Sequence, residues 1–258
     1  MFRKIGAVAA FAALVFVSLA VSPALAASVM SKSTIIVGTE GTYPPFEFYD
    51  ENGVLTGFDI ELAVMIGEKI GRGIEVVDMA FDGLIPALVT NKIDMIAAAL
   101  NATAERLRVV DFSDVYQIAD ASVLVKTGDT SMSSMQDLAG KTIGVQLGTT
   151  EDYFLTNANL GAEVKRYQRV NDAVREVLLD RLDGVLMDTP VANDYMKSSR
   201  FEGFVEVAFK ELINSPEEGF ALALRKNDPA FLDALNDALR ELDASGELDA
   251  LKDKYGLR

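Results

Sequence analysis

The chain has 258 residues, half of them hydrophobic, which is enough for one large domain or two small ones. Its formal net charge of -15 argues against nucleic acids and anionic membrane surfaces as partners. It contains neither cysteine nor histidine. Disulfides, thiolate metal sites, cysteine nucleophiles and Ser-His-Asp triads are therefore excluded, and the commonest general base is missing.

The N-terminus has the pattern of an export signal. A short basic segment precedes an almost unbroken apolar run over residues 5–21, and an Ala-x-Ala sequence that follows a proline ends at Ala26. This pattern predicts a signal peptide over residues 1–26 that is cleaved after Ala26. An uncleaved anchor is the alternative, since about 17 apolar residues barely span a bilayer. No cysteine stands at the cleavage position, so we expect a periplasmic protein without a lipid anchor.

The next stretch alternates between strand and helix signals. Strands are predicted at residues 33–38, 46–49, 54–56, 74–77 and 93–100. Helices are predicted at residues 58–70 and 82–88, with a helix or turn at 104–107. Asp82 is expected to cap the second helix, and Asn52-Gly53 predicts a hairpin turn. This order is typical of an α/β lobe with a mostly parallel sheet.

The remainder repeats the same coarse plan. Strands are predicted at residues 110–113, 121–125, 142–145, 184–187 and 220–224. Helical segments are predicted at residues 134–138, 151–155, 171–182, from 189 onward, 229–242 and 247–255, and Asn171 is expected to cap the third. Each half then has strands that end in polar turns. Two such lobes facing one another predict a cleft.

A polar turn with one arginine follows the apolar run at 93–100. Asn101 and Thr103 offer side-chain hydrogen bonds there, and Arg106 carries a planar fork suited to a carboxylate or phosphate. Ligands of open α/β sheets bind beyond the carboxyl ends of the strands, so this position favours a binding role. An ordinary surface arginine is the alternative.

Several residues elsewhere could complete such a site. The turn Gly148-Thr149-Thr150 could attract an anion, although an ordinary capped helix explains it equally well. Asp188 ends an apolar strand and could hold an ammonium group or cap the next helix. Tyr43 and Phe81 could stack on a ligand or belong to the core. An arginine and an aspartate that face each other across a cleft suit an α-amino acid, which carries a carboxylate and an ammonium on one carbon.

Five motifs in order carry a family resemblance. They are residues 38–46, 55–59, 81–88, 103–106 together with 111–113, and 144–150. With these motifs, the chain from about Ser33 to its end resembles the polar-amino-acid-binding proteins of bacterial ABC importers (solute-binding protein family 3). That family is a branch of the type 2 periplasmic binding fold.

The resemblance implies two α/β lobes with mixed, mostly parallel sheets and a two-segment hinge. Lobe 1 would comprise residues 33–116 and 216–258, and lobe 2 residues 121–211. The hinge would lie at residues 116–121 and 211–216.

The resemblance also implies a role for each site residue. Arg106 would bind the ligand α-carboxylate, helped by Asn101, the backbone near Ala99, and Thr149 or Thr150. Asp188 would bind the α-ammonium. Tyr43 and Phe81 would sandwich the ligand side chain, and Gln146, Glu40 and Glu151 would select among side chains. Two positions depart from the usual pattern. The family usually has Gly or Ser at Ala99 and Thr or Ser at Asn101.

The function implied is capture of a free L-amino acid for a membrane permease. No cofactor, metal or nucleic acid is expected, and the protein is expected to be a monomer. Acidic residues near the predicted turns, which are Glu40, Asp82 and Glu151, favour a basic or polar ligand. One alternative is a dehydratase-like enzyme on the same fold that uses Glu47 or Glu151 as its catalytic acid. Another is an extracytoplasmic sensor, although a second membrane span is missing from the sequence.

Overall fold

The computed structural model describes residues 28–214 and 218–258. The predicted signal peptide lies outside these residues. The described residues contain two five-stranded sheets, one three-stranded sheet and seven α-helices. No helix among them is both long and apolar enough to cross a bilayer.

In chain order, the strands are β1 (Thr34–Thr39), β2 (Thr42–Tyr43), β3 (Glu47–Tyr49), β4 (Leu55–Thr56), β5 (Gly73–Asp78), β6 (Met95–Ile96), β7 (Val110–Phe112), β8 (Ala121–Lys126), β9 (Thr142–Gln146), β10 (Glu163–Tyr167), β11 (Gly184–Asp188), β12 (Val205–Glu211) and β13 (Ala223–Arg225). The helices are α1 (Phe58–Lys69), α2 (Leu84–Val89), α3 (Thr150–Asn157), α4 (Val170–Leu178), α5 (Thr189–Lys197), α6 (Pro229–Ser245) and α7 (Glu247–Tyr255).

The two large sheets share one plan. The first has the order β5-β1-β6-β13-β7, and the second β10-β9-β11-β8-β12. In each, the fourth strand runs antiparallel to both neighbours while the first three are parallel, so four of the five strands point the same way. The prediction of mixed, mostly parallel sheets is confirmed. The strands β2, β3 and β4 form a small antiparallel sheet that contains the predicted hairpin.

Helices cover the sheets through regularly spaced apolar side chains. Phe58, Leu62 and Ile66 recur every four residues on α1 and are fully buried. Burying each such side chain stabilises the fold by roughly 1.5–3 kcal/mol. Helices α6 and α7 pack against α1, and α4 packs against β9 and β11. Helix α1 ends where Gly71 adopts a φ of +68°, as the sequence predicts.

Some predicted elements were wrong in detail. Asp82 makes no capping bond, because Gly83 already has helical backbone angles and α2 is entered through the 3-10 turn Phe81–Gly83. Asn171 lies inside α4, whose start is anchored by the buried Val170. The run at 93–100 pairs as a strand only at β6, and residues 104–107 contribute to the 3-10 turn Arg106–Arg108. Strands β2, β10 and β12 were not predicted.

The fold brings several strand ends together. We call the first sheet with the small sheet, α1, α2, α6 and α7 lobe 1, and the second sheet with α3, α4 and α5 lobe 2. The chain passes between the lobes twice, once between β7 and β8 and once between β12 and β13. Lobe 1 therefore contains both an early and a late part of the chain.

Candidate functional site

The lobes touch each other directly where their strands end. The hydrogen bonds that join them run from Tyr43 to Asp188, from Gln146 to Glu40, from Arg169 to Glu40 and Asp78, from Arg106 to Gly148, from Thr150 to Asn101, and from Tyr195 to Thr42. Most of the predicted site residues take part in these bonds. The structure is therefore a closed arrangement of the two lobes.

Arg106 lies at the boundary between the lobes. One nitrogen, Nη1, donates to the carbonyl oxygen of Asn101 at 2.9 Å, and Nη2 donates to the carbonyl oxygen of Gly148, in lobe 2, at 3.0 Å. The guanidinium carbon lies 5.6 Å from the centre of the Phe81 ring, which is a cation–π arrangement. Burial lowers the pKa of Arg106 to about 10, so the group is still protonated at neutral pH.

Asp188 occupies the N-cap position of α5 but makes no capping hydrogen bond. Its Oδ2 accepts instead from the Tyr43 hydroxyl at 2.7 Å, across the cleft. Its Oδ1 is buried and has no hydrogen-bond partner within residues 28–214 and 218–258. Burial, together with the neighbouring charge of Glu151, raises the pKa of Asp188 well above its usual range. The carboxyl group thus faces the cleft and does not cap the helix.

Glu151 supplies a second buried acid at the same place. It lies in the first turn of α3 and is 2% exposed. Its Oε2 accepts from the Thr150 hydroxyl at 3.3 Å, while Oε1 has no partner in the described part of the chain. Burial raises the pKa of Glu151, and the charge of Arg106 opposes the rise. Two adjacent buried carboxyl groups favour a cation between them.

The turn before α3 is both a helix cap and a contact between the lobes. Thr149 accepts from the backbone N–H of Asp152 at 3.3 Å and donates to the carbonyl oxygen of Gln146 at 2.9 Å. The Thr150 hydroxyl, which lies 3.3 Å from Oε2 of Glu151, also lies 3.3 Å from Oδ1 of Asn101, so its single proton is shared between the two oxygens. The ordinary capping alternative therefore holds for Thr149, while Thr150 faces the other lobe.

Ala99 has a backbone arrangement that the sequence did not reveal. Its φ is +44°, and its N–H donates to Oδ2 of Asp59 at 2.7 Å. The hydroxyl of Tyr116, in the segment between β7 and β8, donates to the same oxygen at 2.7 Å. The N–H of Ala99 is thus already bound within lobe 1. The sequence places Asp59 only at the start of a helix. The one feature that could have drawn attention to it is an acidic side chain in the first turn of that helix.

Glu40 and Gln146 bind each other across the cleft. Glu40 is 1% exposed, and its Oε2 accepts from the Gln146 side chain at 2.8 Å. The Oε1 of Glu40 accepts from Nη1 of Arg169 at 2.8 Å. Burial raises the pKa of Glu40, and these donors oppose the rise. Arg169 was not among the predicted site residues.

The sequence model of the bacterial extracellular solute-binding proteins, family 3, matches residues 35–258. This chain belongs to that family. It is 39% identical to the arginine-binding extracellular protein ArtP of Bacillus subtilis, over 87% of this chain and 86% of ArtP. Among solved structures it resembles an ancestral arginine-binding protein bound to arginine, with 39% identity, a TM-score of 0.82, and coverage of 87% of this chain and 98% of that one.

A third relative bears on the enzymatic alternative. The ancestral amino acid-binding protein AncCDT-1, described as a precursor of cyclohexadienyl dehydratase, is 34% identical with a TM-score of 0.80, and the match covers 89% of this chain and 98% of that one. The resemblance to the solute-binding family and the two-lobe fold predicted from the sequence are confirmed. The relatives named here are binding proteins by their descriptions.

In this solute-binding protein a groove of about 1200 Å³ opens between the lobes beside Arg106. Thr149 and Thr150 line it as well, whereas the buried Asp188 and Tyr43 do not. Across the described residues, no group of three or more acidic side chains is arranged to hold a metal ion. The groove gives solvent access to the arginine side of the cleft.

Proposed function

We propose that this protein binds a free L-amino acid between its lobes and delivers it to the membrane permease of an ABC importer. The observation that carries this proposal is the meeting of Arg106 with the unsatisfied acids Asp188 and Glu151 at the lobe boundary. Arg106 would hold the α-carboxylate in place of its present carbonyl partners, and Asp188 would hold the α-ammonium. Closure of both lobes on one zwitterion favours the closed form by differential affinity.

The surrounding residues would complete the ligand-binding site. Asn101, the backbone near Ala99, and Thr149 or Thr150 would surround the carboxylate position. Tyr43 and Phe81 would flank the ligand side chain. Glu40 and Gln146 would border the side-chain pocket as a joined pair. This assignment is supported by the contacts of these residues with one another across the cleft.

We propose a ligand with a basic side chain, such as arginine. The buried acids Asp188 and Glu151 leave more than one carboxyl oxygen without a partner in the described residues, and a second positive charge on the ligand would satisfy them. The names of the arginine-binding relatives support the same choice. A neutral analogue of the same shape would leave one acid unpaired.

The remaining assignments follow from the family and the sequence. The protein would be exported, cleaved after Ala26, free of a lipid anchor and monomeric. Lobe 1 would span residues 33–116 and 216–258, lobe 2 residues 121–211, and the hinge residues 116–121 and 211–216. The two chain passages between the sheets support this division.

An enzymatic role is the second candidate. Glu151 is a buried acid with a raised pKa, which suits a general acid, and AncCDT-1 is a precursor of a dehydratase. We propose binding without turnover, because Arg106 and Asp188 suit an intact amino acid. Release of water from a cyclic carboxylate by the purified protein would overturn this choice.

A thermal-shift screen of the common amino acids, with arginine and citrulline as a charged and neutral pair, tests the proposal. A ligand at 100 times its Kd adds about 2.7 kcal/mol to the free energy of unfolding. We expect arginine to raise the Tm and citrulline to raise it less. If no amino acid changes the Tm, the proposed function is wrong.

A further inference from the structure

Arg169 connects the lobes through two acids of lobe 1. It precedes α4 in lobe 2, and its Nη1 donates to Oε1 of Glu40 at 2.8 Å while Nη2 donates to Oδ2 of Asp78 at 3.0 Å. Asp78 ends β5, and Glu40 follows the neighbouring β1, so the two acids stand side by side at one edge of the first sheet. One guanidinium therefore bridges two adjacent strand ends of the opposite lobe.

Both acids are already held in place by lobe 1. The Thr42 hydroxyl donates to Glu40 at 2.9 Å, and the backbone N–H of Gly41 donates to Asp78 at 3.1 Å. Glu40 is 1% exposed, and its only cationic hydrogen-bond donor in the described chain comes from the other lobe. Among the described residues, no cation of lobe 1 forms an ion pair with either acid. Separation of the lobes therefore leaves both acids without a counter-charge.

The position of Arg169 has no explanation within lobe 2. It is the N-cap residue of α4, but its side chain makes no capping hydrogen bond and places a cation at the helix end where the dipole favours anions. Its ion pairs with Glu40 and Asp78 offset this cost only while the lobes are together. Breaking a solvent-exposed ion pair costs the closed form little, whereas removing the partner of a carboxylate as deeply buried as Glu40 costs more, because the buried charge is left uncompensated.

We infer that Arg169 is a latch between the lobes, a positioning residue that stabilises the closed form through Glu40 and Asp78 and so lengthens the residence of the ligand. Its effect on the ligand rests on the proposed function, while its effect on closure does not. Because the latch forms after the lobes meet, it acts on dissociation more than on association. Gln146 adds a second bond from lobe 2 to Glu40 in the same closed state.

The kinetic test compares Arg169→Gln with Arg175→Gln. Arg175 is a matched control, because it also belongs to lobe 2 but its ion pair, to Asp172 at 2.8 Å, stays within α4. In stopped-flow measurements with arginine, we expect Arg169→Gln to raise the dissociation rate about tenfold, as expected for loss of a partly desolvated charge pair across an interface. Arg175→Gln should leave it within about twofold, as for a pair inside one lobe. Equal dissociation rates for the two variants would overturn the latch.

A ligand-free measurement separates the latch from the proposed function. The chain has no cysteine, so cysteines introduced at the exposed Glu68 of lobe 1 and Ser199 of lobe 2 can be labelled selectively. We expect the label-to-label distance distribution to shift away from that of the wild type in Arg169→Gln and in Asp78→Asn, and the double variant to add little to either. Unchanged distributions would refute the latch, even if the wild type binds no amino acid.

Discussion

Ala99 is a residue whose backbone is dictated by its position in the site. Its left-handed conformation, with φ of +44°, costs about 1–2 kcal/mol in a residue with a Cβ atom. The hydrogen bond from its N–H to Asp59 fixes that conformation at the start of the loop that leads to Arg106. Glycine is the residue that adopts such angles freely, which accounts physically for its use at this position in the resembling family.

Two buried alanines provide a test of this strain. Ala98→Gly removes a buried methyl group and adds chain entropy without relieving any strain, so we expect a loss of about 1–2 kcal/mol. Ala99→Gly has the same losses, but relief of the left-handed conformation offsets them, and we expect a change of less than about 0.5 kcal/mol. Urea unfolding measures both values. A loss at Ala99 as large as that at Ala98 would show that the conformation carries no strain.

The Asp188–Glu151 pair should make ligand affinity depend on pH. Both pKa values are raised by burial, so the ligand-free pair retains a proton that a bound cation expels. We therefore expect arginine binding to release protons and to tighten as the pH rises through the titration of the pair. Calorimetry in buffers of different ionisation enthalpy measures this release. Glu151→Gln should reduce it, because one acid and its effect on the other are both removed. Buffer-independent enthalpies for the wild type would contradict this prediction.

At the scale of elements, Asp59 ties three parts of lobe 1 together. It belongs to α1, its Oδ2 accepts from Ala99 beyond β6, and it accepts from Tyr116 at the start of the passage to lobe 2. Burial raises the pKa of Asp59 to about 7 from its ordinary 3.8. The helix, the site loop and the predicted hinge thus share one buried carboxyl group, whose protonation affects all three.

The stability of the ligand-free protein should fall as the pH rises from about 4 to about 7. In this range an unfolded Asp59 ionises while the folded one keeps its proton, so the unfolded state is favoured by up to about 4 kcal/mol. Asp59→Asn, which keeps both hydrogen-bond donors satisfied, should flatten the profile. Glu68→Gln, an exposed change on the same helix, should not. A profile that Asp59→Asn leaves unchanged would rule out this linkage. Denaturant unfolding at each pH gives the measurement.

The elements also show which features the sequence reveals. Buried strands such as β9 and β11 are continuous apolar runs, and both were predicted together with the polar residues at their ends. Strands β10 and β12 lie at the two edges of the second sheet and have mostly exposed or half-buried side chains, so they lack that apolar signal. The Glu40–Arg169 pair joins positions 129 residues apart, and no local pattern predicts such a contact.

At the scale of the whole molecule, the two lobes meet through polar and charged groups. The bonds from Arg106 to Gly148 and from Tyr43 to Asp188 cross the same boundary as the Arg169 latch. Polar contacts of this kind are exchanged readily for water, so the free energies of open and closed forms can lie close together. A small ligand that binds only the closed form can then shift the balance between them.

The most direct test of the central claim is titration calorimetry of arginine into the wild type, Arg106→Ala and Arg108→Ala. Arg108 is a matched control two residues away, with a side chain 73% exposed and an ion pair to Glu105 of its own lobe. Loss of a charge-assisted pair in a closed cleft costs roughly 2–5 kcal/mol, so we expect Arg106→Ala to weaken binding at least about 30-fold. Arg108→Ala should bind like the wild type, and both variants should keep the wild-type ligand-free Tm within a few degrees. Wild-type affinity in a folded Arg106→Ala variant would contradict the proposed site.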